Sequence, residues 1–445
     1  MEETVRKRVL ARETPEHVGE VVRLSGWTDV RRDHGKLVFI DLRDRSGRVQ
    51  LVVLPDAAAA YEAVKEVRSE YILDIEGLVK ERPAKMKNDA TPEGGVEIEV
   101  KALRVVAKPE GDLPIDVSQG ELGLNLDTLL NYRTLSLRNE RIGAIFSLFS
   151  ELLRAYDEAM RAGEFTEIKT PKILGAATEG GANFFKIRYF DRDAFLAQSP
   201  QFYKQAAASS FERVFEIGTV FRAEPHFTTR HVNEYTGLDA EMGFIDGVDD
   251  VMDELERVMR HLFRRVGETC GRELSLYGTA VPEDVPIPRI PLSEAADILR
   301  TEFGKELENL DIDSEGERMI CEYVKRRYGS DLVFLTRYPT ALRPFYSMPS
   351  PDDPDTTETF DLLFRGVEIA SGGQRIHDPE ILVGNIRKFG LDPEQFRDYV
   401  DIFRFGAPPH GGWGLGSERI VQKLFGLGSI KEAVLYPRDV KRLSP

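Results

Sequence analysis

The segment Phe221–Glu241, FRAEPHFTTRHVNEYTGLDAE, constrains this chain more than any other. It sets Arg222, Glu224, Arg230, His231, Glu234, Asp239 and Glu241 among the aromatics Phe221, Phe227 and Tyr235. A core strand cannot hold that many charges unless they pair with one another or meet a polar ligand. The planar fork of arginine matches phosphate bidentately. Neighbouring carboxylates accept from amines and from the exocyclic amino group of a base. The stretch therefore reads as the wall of a site for a phosphate-bearing ligand that also carries donors.

The remaining bulk properties narrow the setting. A chain of 445 residues predicts two or three domains, and 41% hydrophobic with 31% charged residues leaves room for a large core. No apolar run reaches the roughly eighteen residues of a membrane span. The start, MEETVRKRVLARETPEH, lacks the apolar stretch of a secretory signal, so a cytoplasmic protein without membrane contact is expected. Cys270 and Cys321 lie far apart in helical patterns and are expected to be buried, reduced thiols. A net charge of −16 argues mildly against a polyanion partner, although a basic contacting face is all such a partner needs. Candidate basic patches are Arg31-Arg32, Lys80–Lys87, the helical set Arg257, Arg260, Arg264 and Arg265, and the tail Arg438–Arg442.

Residues 1–108 are strand-rich. Runs at Val21–Val30, Lys36–Asp41, Arg48–Leu54, Tyr71–Val79 and Val96–Val106 are separated by turn signals, with a helical stretch, Ala57–Val67, in the third gap. Five strands with a helix in that slot is the order of an OB barrel, an all-β domain; a generic small sandwich is the alternative. Residues 109–135 read as a hinge, with Pro109, Gly111 and Pro114. From residue 136 to 445 the pattern changes. Ile142, Ile145, Leu148, Phe149, Leu152, Leu153 and Tyr156 recur at helical spacing, and the helix ends near Gly163. Phe165–Pro171 follows as a short strand. Strands Arg213–Ala223, Tyr235–Phe244, Thr359–Phe364 and Gly366–Ala370 carry the charged motifs. Helices are predicted at Val251–Val266, Ser293–Phe303, Glu315–Tyr328, Pro379–Phe389 and Pro393–Phe403, with Ser293 and Asp392 as N-caps. Without a strict βαβα rhythm, an α+β domain on an antiparallel sheet is expected. The chain has no GxxxxGK[ST], and Gly411-Gly412-Trp413-Gly414-Leu415-Gly416-Ser417-Glu418-Arg419 is not GxGxxG, so neither common phosphate loop is present.

Three segments fit together. Phe165–Pro171 follows a long amphipathic helix, Phe221-Arg222-Ala223-Glu224 leads a charged hairpin ending at Glu241, and Gly414–Arg419 opens a helix near the C-terminus. In this order they resemble motifs 1, 2 and 3 of class II aminoacyl-tRNA synthetases. With an N-terminal OB domain the resemblance is to subclass IIb and covers essentially the whole chain. Among its members the aspartyl enzymes match best. Gln198–Gln205 resembles their QSPQxxKQ segment, and Ser371–His377 the SGGQRIH of archaeal and eukaryotic members. Ala177–Ala182 resembles the loop that covers the amino acid. About 120 residues between Phe244 and Glu368 are too few for the extra domain of typical bacterial aspartyl enzymes. The OB segment Arg31–Asp44 looks bacterial, so the chain resembles a mixture.

The resemblance implies the roles that follow. ATP and Mg²⁺ would serve adenylation of L-aspartate, followed by transfer to the 3′ end of tRNA(Asp). Arg222 would take the α-phosphate, and Arg230 and His231 the β/γ end. Glu368 would bind Mg²⁺ with Ser371 as second ligand. Adenine would lie between Tyr235 and Arg419, with Glu224 accepting from its amine. Lys204 and Arg375 would hold the substrate carboxylate, Glu179, Ser199 and Gln201 its ammonium, and Asp239 would orient Lys204 or the substrate. On the barrel, Phe39 would stack an anticodon base, while Arg32 and Gln50 would read the central uridine. Motif 1 implies a homodimer. The alternatives are a non-discriminating enzyme that also aspartylates tRNA(Asn), an asparaginyl enzyme, or an inactive tRNA-binding paralogue. The loop Arg82–Asn88 departs from archaeal patterns and Asp29 sits where those enzymes vary, so tRNA choice stays open.

Overall fold

Alternation of side chains along the N-terminal strands closes them on themselves. The computed structural model describes residues 7–87, 92–175, 184–225 and 228–444. It divides into two compact units, Met1–Gly123 and Leu124–Pro445. In the first, β1 (Val21–His34), β2 (Leu37–Arg43), β3 (Arg48–Val53), α1 (Ala58–Val64), β4 (Ile72–Glu81) and β5 (Val96–Ala107) form a closed barrel in the order β1-β2-β3-β5-β4. Val38, Ile40 and Leu42 of β2 point inward to Leu24, Leu51, Ile75 and Ile98, while Phe39 and Asp41 stay on the outer face. The helix sits in the expected slot, and the five strands are the expected five. β1 and β4 run past the end of apolar alternation, because ladder hydrogen bonds do not require apolar side chains. Inside the barrel wall, buried Arg43 donates to Asp29 (3.0 Å) and Glu70 (2.7 Å).

The second unit is built on one sheet. Its helices and strands are α2 (Leu126–Asn131), α3 (Arg133–Ser136), α4 (Glu140–Ala162), β6 (Thr166–Glu167), β7 (Ile173–Leu174), β8 (Lys186–Tyr189), β9 (Arg192–Leu196), α5 (Gln201–Phe211), β10 (Arg213–Phe221) and β11 (Glu234–Gly243). They continue with α6 (Val248–Thr269), α7 (Gly271–Leu276), β12 (Arg289–Pro291), α8 (Leu292–Phe303), α9 (Ser314–Tyr328), β13 (Leu332–Thr336), β14 (Thr359–Phe364), β15 (Val367–Arg375), α10 (Pro379–Lys388), α11 (Arg397–Arg404), β16 (His410–Gly416) and α12 (Ser417–Phe425). The strand order is β12-β13-β14-β15-β16-β11-β10-β6, antiparallel through the centre and parallel only at β12–β13 and β10–β6. Phe215, Leu238, Ala240, Trp413 and Leu415 face α4, α6 and α12 in one apolar cluster. Asn139 starts α4 by accepting from the Ile142 amide (3.2 Å). The alternate residues of the same strands face the other way, which leaves that side of the sheet to the charged motifs.

Several local expectations differ from the structure for identifiable reasons. Of Phe165–Pro171 only Thr166–Glu167 pairs as strand, because Thr170 turns to give its amide and hydroxyl to Glu216 (3.1 and 2.7 Å). Ser293 is not the cap of α8, which starts at Leu292 after Pro291. Asp392 does cap, donated to by the Glu394 amide (3.1 Å), but it opens a single 3-10 turn, and α11 begins only at Arg397. The glycine-rich run is strand through Gly416, and the helix begins at Ser417. The small sheet β7-β9-β8 was not legible from such short pairings. Cys270 and Cys321 are buried and free, as expected.

Glu418 ties α12 to the sheet by accepting from the Thr236 amide (2.8 Å). Burial pushes its pKa up to about 7 from 4.5. Between those values the folded state holds a proton that the unfolded chain has lost, so this group makes folding less favourable as pH rises from about 4.5 to about 7. Glu418→Gln should therefore raise the melting temperature relative to the parent more at pH 8 than at pH 5. Equal differences at both pH values would contradict a protonated Glu418 in the fold.

Candidate active site

Glycine makes the floor of the site. On β16, Gly412, Gly414 and Gly416 lie opposite Glu241, Asp239 and Gly237 of β11. A Cβ at Gly412 would come within 2.0 Å of the Ala240 carbonyl and 2.4 Å of Glu241 Oε2. One at Gly237 would lie 2.9 Å from Asp239 Oδ2. Glycine usually weakens a strand interior. Here it leaves room for two carboxylates to lie against the sheet. Above this floor is a cleft of about 270 Å³, walled by β10, β11, β15, α5 and the segment around Arg343.

Four buried charges set one part of the cleft. Lys204 of α5 donates to Asp239 Oδ1 (2.9 Å) and to the Trp413 carbonyl (2.8 Å), and stands 3.7 Å from Glu241 Oε2. Arg375 of β15 donates through Nε to Glu241 Oε1 (3.2 Å) and through Nη2 to the Gly412 carbonyl (3.0 Å). Two cations and two carboxylates cancel, which is how such groups tolerate burial. Gln201 donates to Gln205 (3.1 Å), which accepts from the Tyr399 hydroxyl (2.9 Å) and meets His410 Nε2 (2.9 Å). Burial pushes the His410 pKa down, so the ring is neutral. The Gln201 amide donates to Ser199 Oγ (3.2 Å).

Tyr235 lies four residues before Asp239 on the same strand, about 13 Å away. Arg222 stands over its ring at 5.5 Å and lies 3.8 Å from Glu224. His231 Nε2 is 3.2 Å from Glu224 Oε2, and its Nδ1 is 2.6 Å from Thr228 Oγ1. Arg230 pairs with Glu317 of α9. Arg419 Nη1 donates to the Glu368 carbonyl (2.7 Å) and lies 3.7 Å from its carboxylate. A bulge in the β14–β15 pairing turns Glu368 to the same face as Ser371. Ser371 Oγ accepts from Arg343 (3.0 Å), which lies 2.7 Å from Asp361 and 3.6 Å over the Tyr338 ring.

Every residue expected in the catalytic domain's site lines this one cleft except Glu179, which lies outside the described residues. Arg32, Phe39 and Gln50 share the outer face of the barrel. Arg32 pairs with Asp41 (3.0 Å), Asp41 is opposite Gln50, and Phe39 is opposite Arg32 and edge-on to His34 (5.9 Å). Sequence reasoning missed Arg343, Tyr346 (whose ring lines the cleft 5.6 Å from the Arg375 guanidinium), Glu317 and Glu418. The first three sit in ordinary-looking segments, and no spacing marks them. Glu418 lay inside a recognised motif, where its buried bond to Thr236 could not be read.

Known proteins resemble this chain over its whole length. Residues 125–440 match the family model for class II tRNA synthetases (D, K and N), and residues 18–106 match that for the OB-fold nucleic acid binding domain. The aspartate–tRNA(Asp/Asn) ligase of Aeropyrum pernix is 45% identical over 96% of this chain and 96% of its own. The aspartate–tRNA(Asp) ligase of Pyrococcus abyssi is 44% identical over 97% of this chain and 98% of its own. The crystal structure of asparaginyl-tRNA synthetase from Pyrococcus horikoshii complexed with asparaginyl-adenylate superposes with a TM-score of 0.88 at 32% identity, over 99% of this chain and 100% of that one. A glycine-floored cleft, an OB barrel and two full-length matches converge, and the chain belongs to the class II aminoacyl-tRNA synthetases of the aspartyl, lysyl and asparaginyl group.

Proposed function

We propose that the protein is an aspartate–tRNA ligase, and the observation that carries this is the pair of buried cations, Lys204 and Arg375, within the same cleft as Arg222 and Arg419. The fold alone does not choose the amino acid, since an asparaginyl enzyme shares it. Two buried cations do bear on that choice. A side-chain carboxylate can take the Lys204 and Arg375 donors that Asp239 and Glu241 leave over, whereas a neutral amide brings N–H groups against N–H groups. Polar sites reject ligands that leave such groups unpaired. The full-length relatives named as aspartate ligases support the same reading.

In this reading the α-carboxylate of aspartate attacks the α-phosphorus of ATP. An oxygen–phosphorus bond forms, the bond to the β-phosphate oxygen breaks, and pyrophosphate leaves. The nucleophile is already an anion, so no general base is needed. Arg222 stabilises charge on the α-phosphate, and Arg230 and His231 hold the far phosphates. Tyr235 and Arg419 flank adenine, and Glu224 accepts from its amine. Gln201 and Ser199 receive the substrate ammonium, with Glu179 as a third acceptor, and Asp239 aims Lys204. The terminal ribose hydroxyl of tRNA then attacks the acyl carbon, the bond from that carbon to the phosphate oxygen breaks, and AMP leaves with the hydroxyl proton passing to its phosphate.

Mg²⁺ fits the donors present. Glu368 and Ser371 offer hard oxygens, and buried Asp361 Oδ1, opposite Ser371 in register, has no hydrogen-bond partner. No group of three or more His, Cys, Asp or Glu suited to a metal exists among the described residues. That is in keeping with an ion whose coordination is completed by phosphate oxygens. When bound, Mg²⁺ would offset phosphate charge. On the barrel, Phe39, Arg32 and Gln50 read the anticodon. The protein works in the cytoplasm as a homodimer joined through α4 and β6. No described helix is long and apolar enough to cross a membrane.

Relaxed tRNA choice is the second reading, favoured by the Aeropyrum pernix relative, which is named for both tRNAs, and one assay separates the two. Transcripts of tRNA(Asp) and tRNA(Asn) are each incubated with labelled aspartate and labelled asparagine. Aspartate on tRNA(Asp) alone is the discriminating outcome, and aspartate on both is the relaxed one. Charging with asparagine only would refute the aspartate assignment. Lys204→Met, with its fold checked by circular dichroism, should cost aspartate binding about 3 kcal/mol or more. That is a drop of at least roughly a hundredfold in aspartate-dependent pyrophosphate exchange. Arg222→Ala should lower kcat by about 10²–10³, the usual effect of losing one transition-state donor. A rise confined to the aspartate KM, with kcat at the parental value, would mean that Arg222 does not serve the phosphate.

A further inference from the structure

We propose that the C-terminal segment Ser429–Arg442 is a positioning strap for the β10–β11 loop and thereby sets nucleotide affinity, a role that rests on reading the cleft as an ATP site. The loop carries Arg222, Glu224, Arg230 and His231, and the segment touches it at two points. The Ile430 amide donates to the Thr229 carbonyl (2.9 Å), and the Asn233 amide donates to the Arg438 carbonyl (2.8 Å). Those contacts fall on either side of Arg230 and His231. Asn233 passes the restraint on, since its Nδ2 donates to the Arg222 carbonyl (2.6 Å) and the Glu224 carbonyl (3.3 Å). Ile430 itself lines the cleft.

The segment is held firmly enough to do this. Lys431 and Asp439 form a buried ion pair (2.7 Å), with side chains 7% and 6% exposed. Asp439 Oδ1 also accepts from the amides of Lys441 (2.7 Å) and Arg442 (3.0 Å). Arg133 of α3, only 3% exposed, donates to the carbonyls of Leu435 (2.8 Å), Val434 (2.9 Å) and Glu432 (3.3 Å). Arg442 reaches Asn131 of α2 (2.9 Å). Burying an ion pair carries a desolvation cost. A tail packed only for stability has no need of hydrogen bonds to a ligand-facing loop. A loop ordered before the nucleotide arrives spares the nucleotide the entropy of ordering it.

The test uses the full-length chain with Asp439→Asn and, separately, Arg133→Lys, which cut the strap at two distant anchors. Affinity for a non-hydrolysable ATP analogue is measured by calorimetry without aspartate, aspartate KM by pyrophosphate exchange, and folding by melting temperature. Both variants should bind the analogue roughly tenfold more weakly, about 1.4 kcal/mol, while aspartate KM stays at the parent value. Arg133→Met, which removes all three carbonyl contacts, should weaken binding further, and Asn233→Ala should reproduce the effect from the loop side if either anchor variant fails to fold. Folded variants with parental nucleotide affinity, or with both affinities lowered alike, would reduce the segment to ordinary packing. A parent chain that binds no ATP analogue would instead overturn the reading of the cleft.

Discussion

The site depends on four charges buried in one sheet. Lys204, Arg375, Asp239 and Glu241 lie where water cannot screen them, and each is tolerable only because the others are present. Their mutual distances are set by register. Asp239 and Glu241 alternate along β11, Gly414 and Gly412 face them on β16, and Arg375 arrives two strands away on β15. A shift of one residue in any of these pairings would turn the carboxylates into the apolar layer around Leu238, Ala240 and Trp413. The need to neutralise charge and the need to bury apolar surface therefore select the same register.

The glycines follow from this. A run such as Gly411–Gly416 in a central strand is a poor choice by propensity. Its atoms are missing where Glu241, Asp239 and the ligand must come close. The glycine-rich run, which matches neither common phosphate loop, is a bare patch of sheet. In the proposed reading, phosphate recognition falls to arginines around its edge, and each of these is already engaged. Arg230 pairs with Glu317, Arg419 with Glu368, and Arg343 with Asp361. Such pairing holds the guanidinium groups in place at no net charge, so the polyphosphate of the proposed function would meet a wall that is already arranged.

Much of this was legible beforehand. The charge density of Phe221–Glu241, the absence of either common phosphate loop and the ordered motifs pointed to the class of reaction. The five strands and one helix of the barrel were legible because apolar alternation marks them. The long helix α4 was legible through its helical spacing. Elements with two or three paired residues, such as β6, β7 and β12, carry too few residues for any period to register. Helix starts were read less well. Asp392 looked like a cap and is one, yet the chain makes a 3-10 turn before α11, and Ser293 looked like a cap and is not.

The sequence by itself determined that a dense set of charges among aromatics must be paired, because no apolar fold tolerates such charges unpaired. The structure pairs buried Lys204 and Arg375 with Asp239 and Glu241. Only the tertiary structure decided how they are held. Glu317 of α9 comes from 87 residues away, Arg343 of the segment before β14 from 28, and the C-terminal segment at Thr229 and Asn233 from about 200. Their partners are chosen by proximity in space, and no local spacing encodes that.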